Sequence, residues 1–313
     1  MKPRILLTGR NGQVGADLER LLAGSSELLA LGHQELDLTS PESIRQVVRR
    51  FQPQVIINAA AYTAVDQAES DPATARAVNA EAPAVLAEEA KSVGAALVHY
   101  STDYVFDGLK TDPYQEDDPT NPTSVYGKTK LAGEQAIQNV GGQYLIFRTA
   151  WVYSTRGRNF LLTILRLATE REELRIVSDQ VGSPTSSRAI ALATAKIIQQ
   201  EWERSGSVLP LGTSSRIYHM TAAGQSNWWE FAKAIVEELQ HIRSRPAWVM
   251  AATGGRPLMV KLVSPITTSQ YPTPARRPTY SVLSNLRLGQ TFAVHLRDWR
   301  AELHAVFGDA QVP

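Results

Sequence analysis

Arg4-Ile5-Leu6-Leu7-Thr8-Gly9-Arg10-Asn11-Gly12-Gln13-Val14-Gly15 is the stretch whose reading decides the fold. Its first five residues form an apolar run that reads as a strand, and Val14 to Leu22 reads as the helix that follows. The glycines between them are spaced three and three. Such glycines permit a tight turn and let backbone approach a pyrophosphate closely. The helix N-terminus then supplies free N–H groups and positive dipole charge. A Gly-rich strand-to-helix turn can be plain packing. However, first strand, first turn and first helix is where a dinucleotide fold places its phosphate site. Gly9, Arg10, Gly12, Gln13, Val14 and Gly15 are therefore candidate cofactor contacts.

The same rhythm continues outward. Leu28 to Leu31 reads as a short strand, and Ser40-Pro41-Glu42 is a helix start with a capping serine and proline at the first turn. Val55-Ile56-Ile57-Asn58 is an apolar strand, and an Ala-rich helix runs from about Ala73 to Val93. Ala96 to Tyr100 is a strand, Ser124 to Gln138 a helix, and Tyr144 to Phe147 a strand. Strands apolar on both faces that alternate with helices predict a parallel sheet covered by helices. The expected class is α/β, a doubly wound Rossmann-type sheet over 1–150 with a smaller mixed α/β C-terminal substrate lobe over 151–313. Within that lobe Asn159–Thr169, Ser187–Arg204, Asn227–Ile242 and a last helix near Val294–Phe307 read as helical. Pro265 to Pro278 reads as proline-rich loops and Ser205 to Ser215 as a surface loop. There is no internal repeat.

Composition bounds the function. Of 313 residues, 43% are apolar and 20% charged, an ordinary globular balance with ample length for a core. A formal net charge of +1 without long single-sign runs gives no support to nucleic acid or an anionic membrane as partner. With no cysteine, disulfides, thiolate metal sites and a cysteine nucleophile are excluded. No apolar run reaches the ~18 residues of a membrane span, and the N-terminus enters directly into a strand, so a cytoplasmic location is expected.

Three further runs carry chemistry. Tyr126 and Lys130 lie four residues apart on a predicted helix, hence on one face. A free tyrosine has a pKa near ~10, and a nearby cation brings it toward working pH, so the pair is a compact proton donor for a carbonyl. A partly exposed tyrosine beside a solvated lysine is the bland alternative. Asn58-Ala59-Ala60-Ala61-Tyr62-Thr63 closes a strand with small residues, which lets a flat ring lie against backbone; Ala61, Tyr62 and Thr63 are the candidates there. His99-Tyr100-Ser101-Thr102-Asp103 closes the next strand. A hydroxyl at that end can orient a substrate carbonyl, with Thr102 the first choice and Ser101 the second. Asp103 can bind sugar hydroxyls or simply make a loop turn.

Together these runs resemble the extended short-chain dehydrogenase/reductases, whose glycine pattern is Gly-x-x-Gly-x-x-Gly. More narrowly they resemble the dTDP-4-dehydrorhamnose reductase family. The match takes in Gly9–Gly15, Asn58–Asp66, His99–Phe106, Val125–Glu134 and Phe147–Tyr153. It continues through Asp179-Gln180-Val181-Gly182-Ser183-Pro184-Thr185 and Tyr271–Pro278, nearly the whole chain. The resemblance implies reduction of the 4-keto group of dTDP-4-dehydro-L-rhamnose to dTDP-L-rhamnose with NAD(P)H. Tyr126 would donate the proton, and Lys130 would hold the ribose and lower the tyrosine pKa. Thr102 would stand for the superfamily's usual serine. Asp103 and Trp151 would contact the dTDP-sugar substrate, and Arg277 its diphosphate. Asp37-Leu38 looks like the pair that lies near adenine. The second strand ends Leu31-Gly32-His33, without the acid that holds a ribose 2′-OH, and Arg10 follows Gly9, so NADPH is expected with NADH as the alternative. The lobe would be built partly from segments returning to the first domain.

Some relatives are dimers bridged by Mg²⁺. Here Asp17 keeps one ligand place, but the second region reads Ser186-Ser187-Arg188, which argues against the ion; no metal site is expected, and the assembly is a monomer or homodimer. Gly254-Gly255-Arg256 fits no motif. Two other readings remain: another sugar-nucleotide epimerase or dehydratase, and a non-catalytic cofactor-binding subunit like the regulatory subunit of methionine adenosyltransferase.

Overall fold

The structure, a computed structural model, describes residues 2–205, 216–242 and 244–308. In the first half the elements are β1 (Arg4–Thr8), α1 (Gln13–Leu22), β2 (Glu27–Leu31), α2 (Pro41–Phe51) and β3 (Val55–Asn58). Then come α3 (Val65–Ala68), α4 (Pro72–Arg76), a π-helical turn (Ala77–Glu81), α5 (Ala82–Val93), β4 (Ala96–Thr102), α6 (Val125–Val140) and β5 (Gln143–Thr149). The second half holds β6 (Val152–Tyr153), α7 (Phe160–Ala168), β7 (Glu173–Val177), β8 (Val181–Gly182), β9 (Thr185–Ser186), α8 (Ser187–Ser205) and β10 (Arg216–His219). It ends with β11 (Ser226–Asn227), α9 (Trp228–His241), α10 (Ala247–Thr253), β12 (Leu262–Ile266), α11 (Leu286–Phe292) and α12 (Trp299–Gly308).

The main sheet is parallel, in the order β10-β5-β4-β3-β1-β2. Chain direction across it reverses between β1 and β3, the place where such sheets open a crevice at their carboxyl ends. One face packs on α1 and α8 through Leu18, Leu22, Ile190 and Ile197. The other packs on α2, α5 and the end of α6 through Ile44, Val48, Leu86 and Ile137. Burial on both faces explains the unbroken apolar runs of β3 and β4. A separate core, with Leu161, Leu165, Phe231, Ile235 and Trp299, holds the lobe built from α7, α9, α10 and α12.

Several expectations need correction. The helix expected over Ala73–Val93 is broken by the π-helical turn, whose Asn79 is buried and hydrogen-bonds the backbone of Tyr62. Pro265 sits inside β12, not in a loop; β12 pairs only with β7, so a residue without an N–H is tolerated at this narrow edge. The last helix begins at Trp299, because Val294 is committed to the core under the main sheet. Most of the segment expected as a surface loop, 206–215, lies outside the described residues.

Candidate active site

Gly9 has φ of +79°, and a Cβ there would meet the backbone of Ala59 and Ala60 at under 3 Å, so only glycine fits. A Cβ on Gly15 would lie 2.0 Å from the Gly9 carbonyl oxygen, which locks α1 against the turn. Gly12 caps α1 without any side-chain partner, leaving the first N–H groups of the helix for a ligand. The turn opens onto a cleft of about 590 Å³ at the carboxyl ends of β1, β3 and β4. Gly9, Gly12, Gln13, Val14, Leu38, Ala61, Thr63, Tyr126 and Lys130 all line it. The dimensions and the glycine cradle fit a dinucleotide.

Tyr126 and Lys130 are presented by α6. Ser124 caps the helix by accepting from the Gly127 N–H at 3.1 Å, and Glu69 accepts from the Val125 N–H at 2.9 Å. Burial pushes the Tyr126 hydroxyl up to about 12, although Thr102 lowers it. Burial brings Lys130 down to about 8. The lysine ammonium was expected beside the phenol; instead it donates to the Tyr100 carbonyl oxygen at 2.6 Å and lies 3.2 Å from Nε2 of His99. Desolvation is the largest influence on the tyrosine's acidity here. Behind them Arg148 makes a bidentate pair with Glu134, both buried, tying α6 to β5.

Of the strand-end hydroxyls, Ser101 lines the cleft, and its buried Oγ has no hydrogen-bond partner among the described residues. Thr102 does not line it: its hydroxyl donates to Asp103 Oδ1 at 3.0 Å and accepts from the Tyr104 N–H. Asp103 is buried with Oδ2 unpartnered, and burial raises its carboxyl to about 6. Trp151 adopts a left-handed backbone (φ +49°) and stacks on Trp228 at 3.5 Å, 5° from parallel.

Other expected contacts lie elsewhere. Arg10 turns away to Glu19 at 2.8 Å and Glu35 at 3.8 Å. Asp37 is exposed and accepts from the Thr39 N–H and hydroxyl, while its neighbour Leu38 faces the cleft. Tyr62 and Gly15 are structural neighbours of the cleft, not its lining. Arg277 makes a bidentate pair with Asp66 at 2.7 Å, so its guanidinium clasps the C-terminal segment to the first domain. Asp17 is held by Arg20 and by the Ser187 hydroxyl. Among the described residues no three His, Asp or Glu side chains gather as a metal site.

Sequence reasoning missed five contributors. Glu35 folds back so that its carboxylate accepts from the Gly32 N–H at 2.6 Å, which supplies an acid at the end of β2 after all. Asn159 donates to Gln13 at 2.9 Å and so joins the lobe to the glycine turn. Gly157 and Arg158 line the cleft from the lobe; Arg156-Gly157-Arg158 reads in sequence only as a solvated basic turn. His99, the fifth, is visible only as one residue of an apolar strand.

A glycine-turn cleft facing a Tyr-x-x-x-Lys helix on a doubly wound sheet defines a nicotinamide-dependent reductase of the short-chain type. Residues 1–312 match the family described as "RmlD substrate binding domain". A dTDP-4-dehydrorhamnose reductase of Burkholderia thailandensis is 51% identical over 298 residues, 95% of each chain. That of Escherichia coli K12 is 42% identical over 300 residues, 95% of this chain and 94% of its own. The crystal structure of dTDP-4-dehydrorhamnose reductase from Bacillus anthracis in complex with NADP superposes with a TM-score of 0.86 at 33% identity, covering 99% of this chain and 100% of that one. The chain belongs to the dTDP-4-dehydrorhamnose reductase family.

Proposed function

We propose that this chain reduces dTDP-4-dehydro-L-rhamnose to dTDP-L-rhamnose, using NAD(P)H. The observation that carries the reading is that Tyr126 and Lys130 line the same cleft as the glycine turn Gly9–Val14, in a chain of this family. A bound reduced nicotinamide supplies the hydride to C4 of the sugar. The protein's part is to hold and protonate. Tyr126 gives its hydroxyl proton to the 4-keto oxygen as that oxygen gains charge. Lys130, as an ammonium, holds the cofactor ribose and stabilises the resulting phenolate. Ser101 orients the carbonyl, Thr102 acts from behind by lowering the Tyr126 pKa, Asp103 takes a sugar hydroxyl, and Trp151 stacked on Trp228 gives the sugar a wall.

We divide the chain between a cofactor domain over 1–150 and a substrate lobe over 151–313, with α8 and β10 returning to the sheet. Arg277 supports substrate binding by holding the Tyr271–Pro278 segment in place, not by reaching the diphosphate. NADPH is the favoured donor, with NADH second: Arg10 suits a 2′-phosphate, whereas Glu35 beside it suits a free 2′-hydroxyl. A cytoplasmic location fits the use of NAD(P)H and a nucleotide sugar.

The test is loss of reduced-nicotinamide absorbance when the protein meets dTDP-4-dehydro-L-rhamnose, with NADPH and NADH in parallel. Loss that requires the sugar nucleotide is expected, faster with NADPH. Cofactor binding without turnover would overturn the reading.

A further inference from the structure

A row of polar side chains crosses the sheet beneath the cleft. Thr8 on β1 stands in register with Asn58 on β3, and Asn58 with His99 on β4. Parallel neighbours in register project their side chains to the same face, so the three meet edge to edge. Thr8 Oγ1 lies 2.7 Å from Asn58 Oδ1, Asn58 Nδ2 lies 3.1 Å from His99 Nδ1, and His99 Nε2 lies 3.2 Å from Lys130 Nζ. None of the four residues is more than 1% exposed. Polar groups buried among apolar strands are costly unless bonded throughout, and here each neighbouring pair lies within hydrogen-bond distance.

The row has a sense. An ammonium donates and cannot accept. Burial, with the Lys130 charge beside it, keeps His99 well below its ordinary pKa, so the ring is neutral and offers one N–H and one lone pair. A lone pair at Nε2 accepts from the ammonium. The ring proton then sits on Nδ1 and needs the Asn58 carbonyl oxygen, which requires the amide to turn by half a rotation from the orientation found here, where Oδ1 accepts from the Thr8 hydroxyl and Nδ2 faces Nδ1. In the orientation found here the order is the reverse: Nδ2 donates to Nδ1, Nε2–H points at Lys130, and only an uncharged amine can accept it. The orientation of Asn58 and the charge of Lys130 are thus linked.

We propose that Thr8, Asn58 and His99 form a positioning relay in which the Asn58 amide, by turning its oxygen toward the ring, selects the tautomer whose Nε2 holds the Lys130 ammonium in place. His99 is a positioning residue, acting through Lys130. The proposal rests on the reductase reading of the site. The titratable groups around Lys130 are Tyr126 and Glu134 on its own helix, His99 on β4, Asp103 just beyond β4, and Arg148 on β5, which is closed in its pair with Glu134. The π-helical turn packed on α6 offers the uncharged Asn79, bonded to Thr129.

Two conservative variants test it. His99→Asn can still bond Asn58 but cannot reach Lys130; His99→Gln places an amide oxygen near the Nε2 position. In His99→Asn, kcat should fall about tenfold. The alkaline limb of its pH profile should move to lower pH by about half a unit or more, because an ammonium without its acceptor loses its proton sooner. His99→Gln should restore most of both. Thr8→Val, at the far end of the row, should shift the limb the same way by less. NADPH affinity followed by fluorescence across pH should show the same order and needs no sugar nucleotide. If the wild type binds NADPH but reduces nothing, the reductase reading fails while the affinity profile still decides the relay. A limb unmoved in His99→Asn, or moved equally by Asn and Gln, overturns the relay; if His99→Asn does not fold, an unmoved limb in Thr8→Val does so.

Discussion

Tyr126 precedes Lys130 by one helical turn, and burial acts on the two in opposite senses: the phenol rises to about 12 and the ammonium falls to about 8. Below pH 8 the pair is therefore a protonated donor beside a cation, the state the reaction needs. Turnover should decline as pH rises through about 8, and a profile flat to pH 10 would contradict the assignment. Tyr126→Phe should cut kcat by about three orders of magnitude or more while leaving NADPH affinity within a few-fold, since only the proton donor is lost. Near-normal turnover would remove the tyrosine from the mechanism. Asp103 illustrates a different cost. Its acid is weaker folded than unfolded, so its destabilising effect grows as pH rises from about 4 and is fully present above about 6. Asp103→Asn should raise stability at pH 7.5 by at most about 3 kcal/mol, a gain that disappears at pH 4. Denaturant melts at the two pH values check this, and an equal gain at both would show the carboxylate charge to be irrelevant. The same variant should raise the KM for the sugar nucleotide.

At the scale of elements, α6 is the part whose seating decides the site. It approaches so closely that a Cβ on Gly127 would lie 2.3 Å from the Tyr104 carbonyl oxygen, a backbone atom that cannot step aside alone. Gly127→Ala should cost about 1–3 kcal/mol by overpacking and lower kcat as Tyr126 is tilted from the cleft. A melting temperature within a degree or so of the wild type would show the contact to be soft. Helix ends were legible where a cap announces them: Ser124 and Ser40 each precede their helix, as expected. The π-helical turn was not, because its cause is the fit of Asn79 between Tyr62 and Thr129, and nothing in the local sequence Ala77-Val78-Asn79-Ala80-Glu81 breaks a helix.

At the scale of the molecule, the Asp66–Arg277 pair joins segments 211 residues apart. Both groups are partly exposed, Asp66 by 42% of its side chain, so Asp66→Ala should cost only about 1 kcal/mol, less in high salt. It should also raise the KM for the sugar nucleotide while NADPH affinity holds. A fall in NADPH affinity instead would place Arg277 at the cofactor. The sequence by itself determined the period of strands and helices, the glycine turn and the Tyr126/Lys130 face, because each depends on spacing within a few residues and on backbone sterics. Only the tertiary structure decided that Arg277 meets Asp66, that Glu35 supplies the missing acid of β2, that β10 extends the sheet beside β5, and that Lys130 is held by His99. Those are contacts between groups brought together by burial of distant apolar faces, and burial also sets their charge; no local pattern encodes either.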